Sequence, residues 1–152
     1  MYTAFLVLHS WLRWVALGAG VAATAAAIGG GGGGADSARP NRWGLILLIA
    51  MDLQLVIGLL LYFVVSPTME AIRANMGEAM RNPQLRFFAV EHLSAMFVAL
   101  VLVHGGRVLA RRAATPAARR RRELICYGLA TLIMLLAIPW PGLPYGRPML
   151  RF

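Results

Sequence analysis

Four stretches of this chain, at about residues 4–28, 43–65, 87–110 and 124–138, run apolar for long enough to be read as membrane spans. A bilayer presents ~30 Å of hydrocarbon, which about 20 helical residues cross. The last stretch is the shortest, led in by Glu123 and closed by the Pro139-Trp140-Pro141 turn. Lipid offers no partner to an unpaired backbone amide, so each stretch is expected to be a helix. Composition agrees. Of 152 residues, 59% are hydrophobic and 14% charged, against about 45–50% and 25% in soluble domains. Too little polar surface remains for a water-exposed fold, which argues against an ordinary cytosolic enzyme. The expected fold class is all-α: one transmembrane domain over 1–152, built as a four-helix up-down bundle.

The charge pattern sets the expected topology. All fifteen basic residues are arginine and the net charge is +9, yet the arginines crowd into loops, which bilayer orientation explains without nucleic acid. Arg39 and Arg42 lie between the first two spans; Arg111, Arg112 and Arg119 to Arg122 lie between the last two, with Arg107 close by. Placing both loops in the cytoplasm puts residues 1 and 152 outside, and the chain in a bacterial inner membrane. Trp11 and Trp140 then suit the outer aromatic belt and Trp43 the inner one. The six glycines of 29–34 read as a flexible tether; no strand precedes them, and no lysine with Ser/Thr follows as in a phosphate loop. One cysteine, Cys126, excludes an internal disulfide and a CxxC pair. The opening MYTAFLVLHSWLRW has neither a basic n-region nor a small-residue cleavage motif, so no removable leader is expected.

The outer loop between spans two and three has structure of its own. SPTMEAIRANMGEAMRNP offers Ser66 and Thr68 as caps, Pro67 early and a stop at Asn82-Pro83. Met69, Ile72, Met76 and Met80 fall at helical spacing opposite Glu70, Arg73 and Arg81. This predicts a short amphipathic helix on the outer surface, its methionines serving packing rather than a copper relay.

Ionisable residues inside the spans mark candidate function, because hydrocarbon penalises them. They are His9 and Arg13 in span one, Asp52 beside Gln54 in span two, and Glu91, His92 and His104 in span three. His9 and His92 each lie some five residues in from the outer end, roughly 8 Å deep at ~1.5 Å per residue. Small residues share their faces (Ala16 and Gly20 with His9; Ala95, Ala99 and Gly106 with His92), as at helix contacts. Two imidazoles at one depth in a bundle suit the axial ligation of a single b-type haem, with an apolar slot for the porphyrin. The same pair could instead stitch helices together by hydrogen bonds, bind a quinone, or hold copper with Met96 one turn deeper. His104, twelve residues beyond His92, points about 120° away and reads with Arg107 as an inner-surface pair. A second haem is therefore not expected. Arg13 and Asp52 both fall near the midplane and are expected to form an ion pair between spans one and two. Glu91 can bind Arg86 or support the back of His9. Arg147 and Arg151, in the tail GLPYGRPMLRF, could return across the outer surface, and Arg147 could meet a haem propionate.

Several segments taken together carry a resemblance: LHSWLRW at 8–14, MDLQLVIGLLLY at 51–62, LRFFAVEH at 85–92, HGGR at 104–107 and IPWP at 138–141. The set resembles a family of small bacterial four-helix membrane proteins often labelled cytochrome b-like. The resemblance implies a four-span bundle from a respiring bacterium and fits haem b carried by His9 and His92. The dihaem and b561 ligand patterns need more histidines than the three present. The expected function is thus a membrane electron-transfer subunit with one bis-histidine haem near the periplasmic face, working with other redox subunits. The alternatives are a haem-free accessory subunit of a respiratory or photosynthetic complex, and a quinone- or copper-binding membrane protein. No soluble catalytic domain accompanies the spans, so a free-standing enzyme is not expected.

Overall fold

The computed structural model describes residues 1–29 and 41–151, and among these the ordered elements are all helical. The glycine run beyond Gly29 and the arginine at 39 lie outside the described residues. Seven α-helices occur in chain order: α1 (Tyr2–Ile28), α2 (Arg42–Leu60), α3 (Pro67–Ala74), α4 (Met76–Arg81), α5 (Pro83–Arg86), α6 (His92–Arg111) and α7 (Pro116–Leu136). A π-helical turn, Leu61–Val65, continues α2, and a second, Phe87–Glu91, leads into α6.

Three helical stretches, Tyr2–Ile28, Arg42–Val65 and Pro83–Arg111, are long and apolar enough to cross a membrane. The fourth expected span is a helix, but its first two turns carry Arg119 to Arg122 and Glu123. Its apolar remainder, from Leu124 to Leu136, is about 20 Å long at ~1.5 Å per residue, short of ~30 Å of hydrocarbon.

Side-chain caps begin five of the seven α-helices. Asn41 accepts from the Gly44 amide at the start of α2, and Thr115 from Ala118 at the start of α7, where Pro116 fills the first position. Ser66 caps α3 ahead of Pro67 as expected, but the surface segment is not one helix. Asn75 takes a non-helical conformation (φ −141°, ψ 71°) and caps α4, so the stripe is interrupted. Met69 and Ile72 stay buried, Met76 is exposed, and Ala79 takes the inward place on α4.

α1 packs against α2 and α7, and α6 against α7 and α2. Their shared core is rich in small side chains, with Ala16, Ala19, Ala23, Ala50, Ala99 and Ala130 around Leu47, Val103 and Tyr127. Small residues let backbones approach closely, which matters where lipid removes any hydrophobic preference for helix over tail. The approach is tightest at glycines. A Cβ on Gly106 would lie 2.5 Å from the Cβ of Cys126, and one on Gly44 2.7 Å from the Tyr127 ring. At the arginine-rich end, Asn41 also donates to the Ala23 carbonyl (3.0 Å) and to buried Glu123 (3.4 Å), tying α2, α1 and α7 together. Burial pushes the Glu123 carboxyl up, opposed by the Asn41 amide and by Arg119 and Arg107.

Two stability experiments follow from this packing. Gly106→Ala should destabilise by ~1–3 kcal/mol through overpacking, whereas its neighbour Gly105→Ala, with nothing within 4 Å, should be neutral or slightly stabilising; thermal unfolding in detergent compares them. A carboxyl raised by folding contributes stability at low pH and loses it as pH rises through its folded value. Glu123→Gln keeps an acceptor for Asn41 without the charge, so its melting temperature should gain on the wild type as pH rises above the ordinary glutamate range.

Candidate functional site

A cavity of about 360 Å³ opens at the end of the bundle where α6 begins and α7 ends. That volume falls within the ~300–1,000 Å³ common for small-molecule and cofactor sites. His9, Ser10 and Arg13 reach it from α1, Gln54 and Gly58 from α2, and His92 and Met96 from α6. The tail beyond α7 supplies Arg147 and Arg151. Among the described residues no carboxylate lines the cavity, whereas three arginines do.

The structure brings His9 and His92 together, with ring centres 6.3 Å apart and planes inclined by 65°. Local structure explains how each is held. The π-helical turn Phe87–Glu91 delivers the chain to His92, and Tyr62, in the other π-helical turn, donates to the Ala89 carbonyl (2.9 Å). Such single-turn π segments recur at functional sites because the wider turn re-aims the residues after it. The His92 Nδ1 is 2.9 Å from the Ala137 carbonyl, just past the end of α7. A carbonyl can only accept, so Nδ1 carries the proton and the neutral ring keeps its lone pair on Nε2. On the other side, a Cβ at Gly58 would lie 3.4 Å from the His9 ring, so the glycine leaves that ring its room. Gln54 donates to the His9 carbonyl (3.0 Å) and fixes α2 against α1 there.

Three buried polar atoms lack hydrogen-bond partners among the described residues: His9 Nδ1, Arg13 Nε and Gln54 Oε1. All three belong to residues that line this cavity. Buried polar groups are almost always satisfied, so three unpaired atoms on residues of one cavity set this end of the bundle apart as the candidate site.

The tail crosses the cavity mouth as a strap. Trp11 donates to the Arg151 carbonyl (2.9 Å), and Trp14 and Arg13 both donate to that of Met149 (3.2 and 2.7 Å). Tyr145 stacks on Phe87 at 3.8 Å, and the Arg147 guanidinium lies 5.0 Å over Phe88. The tail that carries Arg147 and Arg151 thus folds back onto α1 and the π-helical turn before α6. The anchoring by two tryptophan N–H groups had no local signal, since its partners are about 135–140 residues apart.

Two expected pairings are corrected. Arg13 and Asp52 do not pair: Arg13 bonds Ser10 (3.2 Å) and Met149, while Asp52 Oδ1 lies 2.8 Å from His104 Nε2. Helical phase is the reason. Gln54 is the residue of α2 that faces α1, and Asp52, two residues earlier and about 200° round, is turned toward α6. The same contact engages His104 with Asp52, where His104 and Arg107 were expected together to meet lipid headgroups or a partner at the inner surface. Glu91 takes Arg86 (2.7 Å) rather than His9. Gly58, Tyr62 and Ala137 have no sequence signal beyond the glycine in LVIGLLLY, which interrupts a run of bulky apolar residues.

No family model, curated protein or solved structure matches this chain.

The strap offers a direct check. Chymotrypsin should cut slowly after Tyr145 and Leu150 in the intact protein, and several-fold faster in the Trp11→Phe, Trp14→Phe double variant, which keeps the rings but loses both donors. Equal cleavage rates by mass spectrometry would show that the tryptophans do not hold the tail.

Proposed function

We propose that this protein is a membrane electron-transfer subunit holding one bis-histidine b-type haem between His9 and His92. The observation that carries the reading is the 6.3 Å separation of the two ring centres. Imidazole nitrogens bind first-row metals at about 2 Å, and the ring centre lies about 1 Å further. Two rings on opposite sides of one iron therefore stand roughly 6 Å apart. The hydrogen bond from His92 Nδ1 to Ala137 leaves Nε2 free to ligate and orients the ring, as carbonyl partners do for metal-bound histidines. Arg13, Arg147 and Arg151 suit the two propionates, and no carboxylate among the described residues lines the cavity with them. Held by His9 and His92, such a haem would supply reversible one-electron chemistry.

The setting is a four-span up-down bundle, with the apolar half of α7 and the Ile138–Pro141 turn completing the fourth crossing. The arginine-rich loop before α7 lies in the cytoplasm, and the cavity, residue 1 and the strap lie near the periplasmic face of a bacterial inner membrane. The partners are other redox subunits of that membrane. Met96 also lines the cavity, so a copper ion on His9, His92 and Met96 is the second reading.

The test is a reduced-minus-oxidised absorption spectrum with a pyridine haemochrome assay on protein purified in mild detergent from a haem-sufficient host. The expected result is a sharp b-type α-band at about one haem per chain. His9→Ala and His92→Ala should each abolish it, while His104→Ala should retain it. Folded protein without a haemochrome overturns the reading; stoichiometric copper in that sample selects the metal site, and neither cofactor selects a haem-free accessory subunit.

A further inference from the structure

The Asp52–His104 contact plays no part in the cavity and lies on the outside of the bundle, with 44% and 47% of the two side chains exposed. Asp52 is about 15 Å along α2 from Arg42, and His104 about 10 Å along α6 from Arg111, at ~1.5 Å per residue. Both lie on helices long and apolar enough to cross a membrane, at a depth where hydrocarbon would otherwise face them. Polar groups exposed there are costly and need a partner. The contact uses one oxygen of Asp52 and one nitrogen of His104, and no partner for the other oxygen or ring nitrogen is found among the described residues.

The residues around this pair repeat at heptad spacing on both helices. On α2 they are Leu45, Ile49, Asp52 and Val56; on α6 they are Phe97, Val101, His104 and Val108. Each series steps by four, three and four residues. The apolar members are between 41% and 56% exposed, so neither stripe is buried within the chain. This is the pattern of a coiled-coil seam with one polar residue at its centre, a device that fixes register and partner number. α2 and α6 run in opposite directions past one another, so Val56 lies level with Val101 and Ile49 with Val108.

We propose that this face is the interface of a homodimer, with a two-fold axis parallel to the helices. The surface is complementary to itself. An isologous contact sets Asp52 against His104 of the partner subunit, and the two dyads close into a ring of four polar groups that satisfies the free oxygen and nitrogen of each. The Ile and Val stripes pack on either side of that ring. The proposal is independent of any cofactor, because neither stripe touches the cavity.

The test uses the full chain in mild detergent and in lipid nanodiscs. Light scattering should report a protein mass near twice the 16.5 kDa of one chain. Val101→Trp, a change on an exposed position that leaves the protomer fold alone, should raise the dimer dissociation constant at least tenfold. In a Cys126→Ser background, mixed Val56→Cys and Val101→Cys samples should form an oxidative cross-link between copies. A Leu132→Cys sample, placed on the exposed face of α7, should not. A monomer at every protein-to-detergent ratio, or a dimer whose cross-links run through Leu132→Cys instead, overturns the proposal.

Discussion

Hydrocarbon gives polar groups nothing to bond to, and the placement of the main polar side chains along the long apolar helices answers that constraint. The backbone meets it by staying helical through the long apolar segments. The side chains meet it in three places. At the arginine-rich end Asn41 and Glu123 bond each other and the backbone of α1. On the outer flank Asp52 and His104 take one another. In the cavity the constraint is met only partly, with three buried polar atoms left unpartnered among the described residues.

That difference separates structural polarity from the candidate site. The Asn41 cluster is closed: a cap, a carbonyl and a carboxylate use one side chain to hold three helices. The cavity is open in the chemical sense, since His9, Arg13 and Gln54 line it and each keeps a polar atom unpaired among the described residues. Two features hold that space in place. The His92–Ala137 hydrogen bond joins the start of α6 to the end of α7, and the strap pinned by Trp11 and Trp14 keeps Arg147 and Arg151 at the mouth. The proposed haem would occupy the gap between the two imidazoles, and the proposed dimer would complete the dyad on the opposite flank. Both proposals answer one question: what satisfies a polar group that hydrocarbon cannot.

Much of this was legible in order along the chain. Span positions follow from runs of apolar residues, and the cap at Ser66 follows from a residue type that bonds its own backbone; Thr68 falls inside α3, and Asn82, expected as a stop, also caps α5. The pairing of His9 with His92 was legible too, because both sit at one depth and on faces of small residues. The Arg13–Asp52 pairing was misjudged since depth alone was matched. Which way Asp52 points depends on Gln54 claiming the face toward α1, a competition that a single helix does not reveal. The break at Asn75 is similar: the methionine spacing supports one helix, but Ala79 packs better inward than Met76, and the asparagine caps the second turn of chain.

By itself the sequence determined that the chain is helical and rich in segments able to cross a membrane, and that two histidines stand at one level. These properties come from local periodicity and from the cost of polar groups in lipid, which act wherever the helix sits. Only the tertiary structure decided that the histidine rings meet at 6.3 Å, that Gly58 leaves room for one and Ala137 orients the other, and that Asp52 turns outward to His104. Those outcomes depend on the rotation of each helix about its axis, which is set by close packing between surfaces far apart in the chain rather than by any residue's own preference.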